Sequence, residues 1–326
     1  MAETRVRRVG MPFGIPTRSP VLRIIGRAIV VSLAVMLVSF SLMRLSPGDP
    51  VTVLLGENAT DQAIANMREQ LGLNGTFLEQ LARYLGGLAR GDMGRSVVFA
   101  TPVTTLILNA IPTTLSLMLV TITFTILLAV PIAVYVGQHP RSKFASFFLL
   151  ASSFFVSTPS FFVGLMALLI FAVWLDIAPV AGIVGTLPGA ITHLWLPAAV
   201  IAATLVPVLA RVLTASVMTT LREEFVEVAI VRGVRGRRFS WRYLIRPSIA
   251  PTLSLLAYIV GVLFASAVVV ELVFNLPGTG TLLVNAVAGR DYPLVQGIVL
   301  LSGVFVVVVS TIGDLITVRI DPRANL

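Results

Sequence analysis

The chain has 326 residues, of which 56% are hydrophobic and 12% charged, and its mean hydropathy is +0.95. These values exclude an ordinary soluble domain and make lipid the solvent for most of the chain. The net charge of +9 is a topology feature rather than a nucleic-acid one, because basic loops beside membrane helices fix orientation, and with no cysteine the chain holds neither a disulfide framework nor a thiolate metal site.

Residues 1–22 carry Gly10, Pro12, Gly14, Pro16 and Pro20 among charges and read as a flexible cytoplasmic tail. A bilayer core takes roughly 20 helical residues to cross, and six apolar runs of that order follow. The first, Ala28 to Met43 between Arg27 and Arg44, lacks a small-residue cleavage site and reads as an uncleaved span over 23–43.

The longest segment outside the spans, 44–111, is predicted to be extracytoplasmic and helical. It opens on a turn, Ser46-Pro47-Gly48-Asp49-Pro50. In a first short helix Ile64, Met67 and Leu71 share a face and Gly72 caps the end. In a second, Thr76 and Glu79 have capping-box spacing, Leu81, Tyr84, Leu85 and Leu88 form the stripe, and Gly86-Gly87 loosen the end. This layer reads either as a cover for the outer mouth of a pathway or as a packed cap without further role.

A core over 112–317 holds the other five spans. They are predicted at Pro112 to Val136, with proline at the helix start, Phe144 to Leu175, Leu194 to about Ser216, Ser248 to Phe274, and Pro293 to Thr317, with 318–326 as a second cytoplasmic tail. Pro131, Pro159 and Pro207 fall within spans and kink them. With both termini in the cytoplasm, 18 of the 24 basic residues lie inside, Arg211 among them, and six lie outside. The fold class is an all-α integral membrane protein with six transmembrane helices.

Most catalytic chemistry is missing from the sequence. A P-loop ends in Gly-Lys-Ser/Thr, yet the only lysine is Lys143, preceded by Ser142. His139 and His193 fall on opposite sides of the membrane in this topology, and Gly278-Thr279-Gly280 lacks the third glycine of a dinucleotide fingerprint because Leu283 replaces it. An ion-coupled secondary transporter shows ionisable residues deep in the bilayer. Here Glu271 and Asp314 lie near span ends and read as an interior salt bridge, an interface position or a helix-end contact rather than a proton relay.

The most informative stretch is the loop over 219–247, containing EFVEVAIVRGVRGRRFSWRYLIRP. Glu223 and Glu224 place negative charge at the positive end of a short helix. Val226, Ala229 and Ile230 share an apolar face at helical spacing, and small Ala229 admits close approach by a partner. Gly233 permits a sharp change of direction, and a second basic helix, Arg237 to Leu244, leads to Pro247. Taken alone, the stretch fits a docking element and an interfacial helix pair equally well.

Glu227-Val228-Ala229, three residues, then Gly233 resembles the E-A-A-x3-G core of the membrane subunits of bacterial ATP-binding-cassette (ABC) importers. Similarity to the peptide and nickel permease branch extends along the chain through Leu45-Ser46-Pro47-Gly48-Asp49-Pro50, Leu71-Gly72-Leu73, Gly91-Asp92-Met93-Gly94-Arg95-Ser96, Thr158-Pro159-Ser160-Phe161, Val270-Glu271 with Phe274, Pro277-Gly278-Thr279-Gly280, Asp291-Tyr292-Pro293 and Asp321-Pro322-Arg323. The chain resembles the B-type permease subunit of dipeptide and oligopeptide importers.

That resemblance implies a type I importer fold in a bacterial inner membrane and a coupling helix from Glu224 to about Arg232. Its ATPase-coupling residues would be Glu224, Phe225, Glu227, Ala229, Arg232 and Gly233. The implied partners are a second homologous permease, cytoplasmic ABC ATPase subunits that bind the ATP and Mg, and an extracytoplasmic substrate-binding protein. The chain itself would be non-catalytic and hold no cofactor. Di- or oligopeptides are the first cargo, with nickel chelates, glutathione or another small solute open, and no substrate-binding residue is assigned. Val228 departs from the middle alanine, Val231 and Arg232 stand where the peptide branch has alanine and lysine, and Pro247 lies one place late. These departures bear on the choice of ATPase.

Overall fold

The computed structural model describes residues 20–45, 51, 55–56, 59–70, 74–179 and 187–320. The expected turn at Ser46–Pro50, the cap at Gly72, residues 1–19, the ending Asp321–Arg323 and the side chain of Asp314 lie outside the described residues. Among the described residues the regular structure is helical, with an isolated bridge between Arg95 and Pro102.

Helix α1, Pro20–Leu45, is apolar over Ile24–Ser41 with only 17% of that stretch buried. Ile29, Val30, Leu33 and Leu37 face outward, as a helix in lipid requires. Near its end Ser39 Oγ donates to the Gln296 carbonyl (2.8 Å), and Gln296 Nε2 donates to the Phe40 carbonyl (3.2 Å). Two short helices follow, α2 (Asp61–Gln70) and α3 (Phe77–Leu88). The capping box forms at α3: Thr76 Oγ1 accepts from the Glu79 amide at 3.4 Å, and Glu79 accepts from the Thr76 amide at 2.8 Å. The rings of Phe77 and Tyr84 lie 5.4 and 5.2 Å from that of Phe40, so α3 is packed on the end of α1.

Helix α4 starts earlier than the sequence suggests, running Val103–Gln138 with Pro112 and Pro131 in its interior. Val103 and Ile107 pack with Ala286, Leu294 and Ile298, a contact strong enough to carry the helix past the hydrogen bond that Pro112 removes. Its 36 residues span about 54 Å.

The span expected at Phe144 to Leu175 bends at Pro159, where the sequence predicts a kink, and does so sharply enough to form two helices. Helix α5 (Lys143–Ser157) and helix α6 (Ser160–Ala167, continuing as π-type turns over Leu168–Trp174) meet at 105°. The residue before a proline is pushed out of the helical region, and Thr158 sits at φ −92°, ψ 129° ahead of Pro159.

Helix α7, Leu187–Thr220, is the centre of the molecule. About half of the residues over His193–Thr220 are buried, and Leu194, Ile201, Leu209 and Leu213 lie in the main core with Leu117 of α4. Next come α8 (Glu224–Val231) and α9 (Gly236–Phe239), whose π-type continuation Ser240–Ile245 runs into α10 (Arg246–Val273). Helices α11 (Thr279–Ala288) and α12 (Tyr292–Ile320) complete the chain. Four described helices are long and apolar enough to cross a membrane, and the bent α5–α6 pair makes a fifth candidate. In α10 the described apolar stretch is Ile259–Val273.

Candidate functional site

The loop between α7 and α10 folds as a short, firmly ended helix. Glu223, extended at φ −76°, ψ 141°, precedes α8, and Glu224 and Glu227 lie in its first turn near the positive helix end. At the other end Gly233 adopts φ +75°. Its amide donates to the Ile230 carbonyl (2.9 Å), and the Val234 amide donates to the Ala229 carbonyl (3.0 Å). This pair of bonds is the Schellman ending, which needs a left-handed residue and so favours glycine.

The direction of the helix faces differs from the expectation. Val226 and Ala229 are buried, whereas Ile230 is exposed. Ala229 therefore seats α8 on its own chain and does not offer a close approach to a partner. The outward surface is apolar: Phe225 is 44% exposed, Val228 49% and Val231 87%. Glu224, Glu227, Arg232 and Gly233 are exposed around it.

Polar contacts hold the root of this loop. The Thr220 and Ser248 hydroxyls lie 3.0 Å apart, and Ser216 Oγ donates to the Ser248 carbonyl at 3.4 Å, joining the end of α7 to the start of α10. Gln138 Nε2 donates to Ser240 Oγ at 3.4 Å, tying in α4.

At the opposite end of the bundle, buried Glu271 closes a second constellation. Its carboxylate accepts from Thr114 Oγ1 (2.6 Å), the Gly280 amide (2.7 Å) and the Thr281 amide (3.3 Å). Two of those donors open α11, so the carboxylate caps a helix N-terminus, the helix-end contact among the sequence alternatives. A Cβ at Gly278 would fall inside the Glu271 carboxylate, and one at Gly280 would fall onto the Val268 backbone. The Pro277–Gly280 turn is thus a cradle for a carboxylate of the same chain. Nearby, buried Asp291 accepts from Ser96 Oγ, the Val98 amide (3.1 Å) and the Leu294 amide (3.3 Å), which pins the 95–102 turn to the start of α12.

Residues 129–326, a stretch that takes in the whole α8 loop and the Glu271 cradle, match the family described as binding-protein-dependent transport system inner membrane component. Residues 18–118 match its N-terminal membrane component. The chain belongs to this family of permeases. The di/tripeptide transport system permease protein DppB of Pseudomonas aeruginosa is 31% identical, over 92% of this chain and 97% of its own length. The oligopeptide transport system permease protein AppB of Bacillus subtilis is 29% identical over 91% and 96%. The nickel import system permease protein NikB of Staphylococcus aureus is also 29% identical, over 91% and 89%. The permease is a multi-pass inner-membrane protein.

The structure brings Glu224, Phe225, Glu227, Arg232 and Gly233 to one exposed surface of the permease and turns Ala229 inward. Val228 and Val231, which the sequence singles out only as departures from the family pattern, supply much of the exposed apolar area. Arg211, counted from sequence with the inside charges, lies within the apolar stretch of α7.

Proposed function

We propose that the permease is one of two membrane subunits of an ATP-driven ABC importer for di- or oligopeptides. The α8 end faces the cytoplasm, where α8 sits in a cleft of an ATPase subunit, and the chain crosses the membrane six times with both termini in the cytoplasm, a topology that the distribution of basic residues supports. The observation that carries this reading is the apolar surface of Phe225, Val228 and Val231 on a helix whose other face is buried and whose end is fixed by Gly233. An exposed apolar face on a rigid, charged loop calls for a protein partner. ATP and Mg are bound by the ATPase, the second permease completes the pathway, and an extracytoplasmic binding protein delivers cargo to the Glu271 end. Relatives named for peptides support peptide cargo.

The test is purification from the native membrane in mild detergent, with co-purifying proteins identified and ATP hydrolysis assayed. A second permease, ATPase subunits and ATP-dependent uptake of labelled tripeptides in proteoliposomes are the expected results. A lone chain that transports in ATP-free vesicles would overturn the reading. Uptake of nickel chelates in place of peptides would move the cargo while leaving the importer intact.

A further inference from the structure

Helix α3 carries its apolar residues on one side. At about 100° per residue, Tyr84, Phe77, Leu88, Leu81, Leu85 and Leu78 follow one another around a sector of about 120°, while Glu79, Arg83 and Gly86 lie on the other side.

Only one edge of that sector is used by the ring contacts to α1. Tyr84 and Phe77 pack on Phe40, with ring centres 5.2 and 5.4 Å away. At the other edge Leu78 is 73% exposed and Leu85 37%, and no residue of α3 is buried. The roll of the helix is fixed from its polar side. Gln80 Nε2 donates to the Gly75 carbonyl (2.9 Å), Arg83 donates to the Asn74 carbonyl, and the Thr76–Glu79 box holds the first turn.

The seat of α3 on α1 tells which surface its open edge continues. Leu33, Leu37 and Phe40 share one face of α1 at i, i+4 and i+7. Leu33 is 53% exposed and Leu37 46%, yet Phe40 only 4%. The lipid-facing strip of α1 therefore runs up to α3 and ends under its aromatic rings. It ends there next to Ser41, the last residue of the apolar stretch Ile24–Ser41.

We propose that α3 lies in the membrane surface, with Leu78, Leu81 and Leu85 in the acyl-chain boundary of the leaflet that meets the end of α1. An amphipathic helix of this kind rests in the plane of the interface, its apolar side sunk about 5–10 Å below the headgroups. The apolar strip of α1 turns a corner at Phe40 and continues along α3, so both surfaces meet the same solvent. That placement sets α3 against lipid beside the bundle and not over a pathway, and it holds whatever the cargo.

The experiment uses the permease with the subunits that accompany it, reconstituted into vesicles of phosphatidylethanolamine and phosphatidylglycerol. The unmodified chain has no cysteine, so a bimane label at Leu78→Cys, Leu85→Cys or Arg83→Cys reports from one site of this chain, and the complex with the unmodified permease supplies the background to subtract. The two quenchers are a phospholipid bearing a nitroxide on its acyl chain and iodide in the water. Positions 78 and 85 should lose most of their fluorescence to the lipid nitroxide and little to iodide, with the opposite order at 83. Loss to iodide at 78 and 85 would show that this edge meets water, and quenching by neither would show another protein surface over it. Equal lipid quenching at all three positions would show a helix surrounded by lipid. Each of these three results overturns the assignment.

Discussion

Thr114 Oγ1 donates to Glu271 at 2.6 Å and accepts the Thr279 amide at 2.9 Å, so one hydroxyl joins α4, α10 and α11. Thr114→Val removes both bonds and leaves a buried carboxylate one donor short. The expected loss is about 1–3 kcal/mol, read as a lower thermal midpoint of the detergent-solubilised permease, while Thr114→Ser keeps the midpoint near that of the unmodified chain. Equal midpoints for the valine and serine variants would show that the hydroxyl contributes nothing there.

The two glycines of the cradle separate into different kinds of obstacle. At Gly278 an added methyl meets the Glu271 side chain, whereas at Gly280 it meets the Val268 backbone at 2.4 Å as well as Glu271 Oε2 at 2.9 Å. Gly278→Ala should destabilise the permease strongly and be partly rescued by Glu271→Ala, because truncating the glutamate clears the space. Gly280→Ala should gain much less, because the Val268 backbone still stands in the way. A double-mutant cycle on thermal midpoints measures the difference, and equal coupling at both positions would contradict the cradle geometry.

Val228 and Ala229 are neighbours with opposite burial, 49% and 1% exposed. Val228→Glu should leave expression and thermal stability nearly unchanged, as surface substitutions do, yet abolish co-purification of ATPase subunits. Ala229→Arg forces a charge into a packed face and should lower the stability of the permease by itself. Retention of ATPase by Val228→Glu would remove α8 from the docking surface.

The 105° break between α5 and α6 is attributed to the pre-proline restriction on Thr158. Since the chain has no cysteine, spin labels at Phe147→Cys and Val173→Cys report the distance across the bend directly. In Pro159→Ala the distribution should broaden toward longer separations as Thr158 gains access to helical conformations. A distribution as narrow as before would assign the bend to packing alone.

Local chemistry was legible in the sequence wherever cause and effect lie within one turn. Thr76 and Glu79 are three residues apart and form their box, and Gly233 ends α8 as its conformational freedom suggests. The helix at 224–231 was readable, but its inward face was not. An eight-residue helix carrying Phe225, Val226, Val228, Ala229, Ile230 and Val231 has apolar residues on most sides, so periodicity cannot choose which of them packs. Glu271 and Thr114 are 157 positions apart, and Asp291 and Ser96 are 195 apart, separations at which no sequence pattern reports a contact. Pro112 and Pro159 show that packing decides what a proline does to a helix. Tertiary packing carried α4 through the first, and nothing offset the backbone restriction at the second.

The Thr220–Ser248 contact closes the α8 segment into a handle whose two roots are tied together. A load on the exposed face of α8 therefore meets α7 and α10 at one shared point rather than at two separate ones.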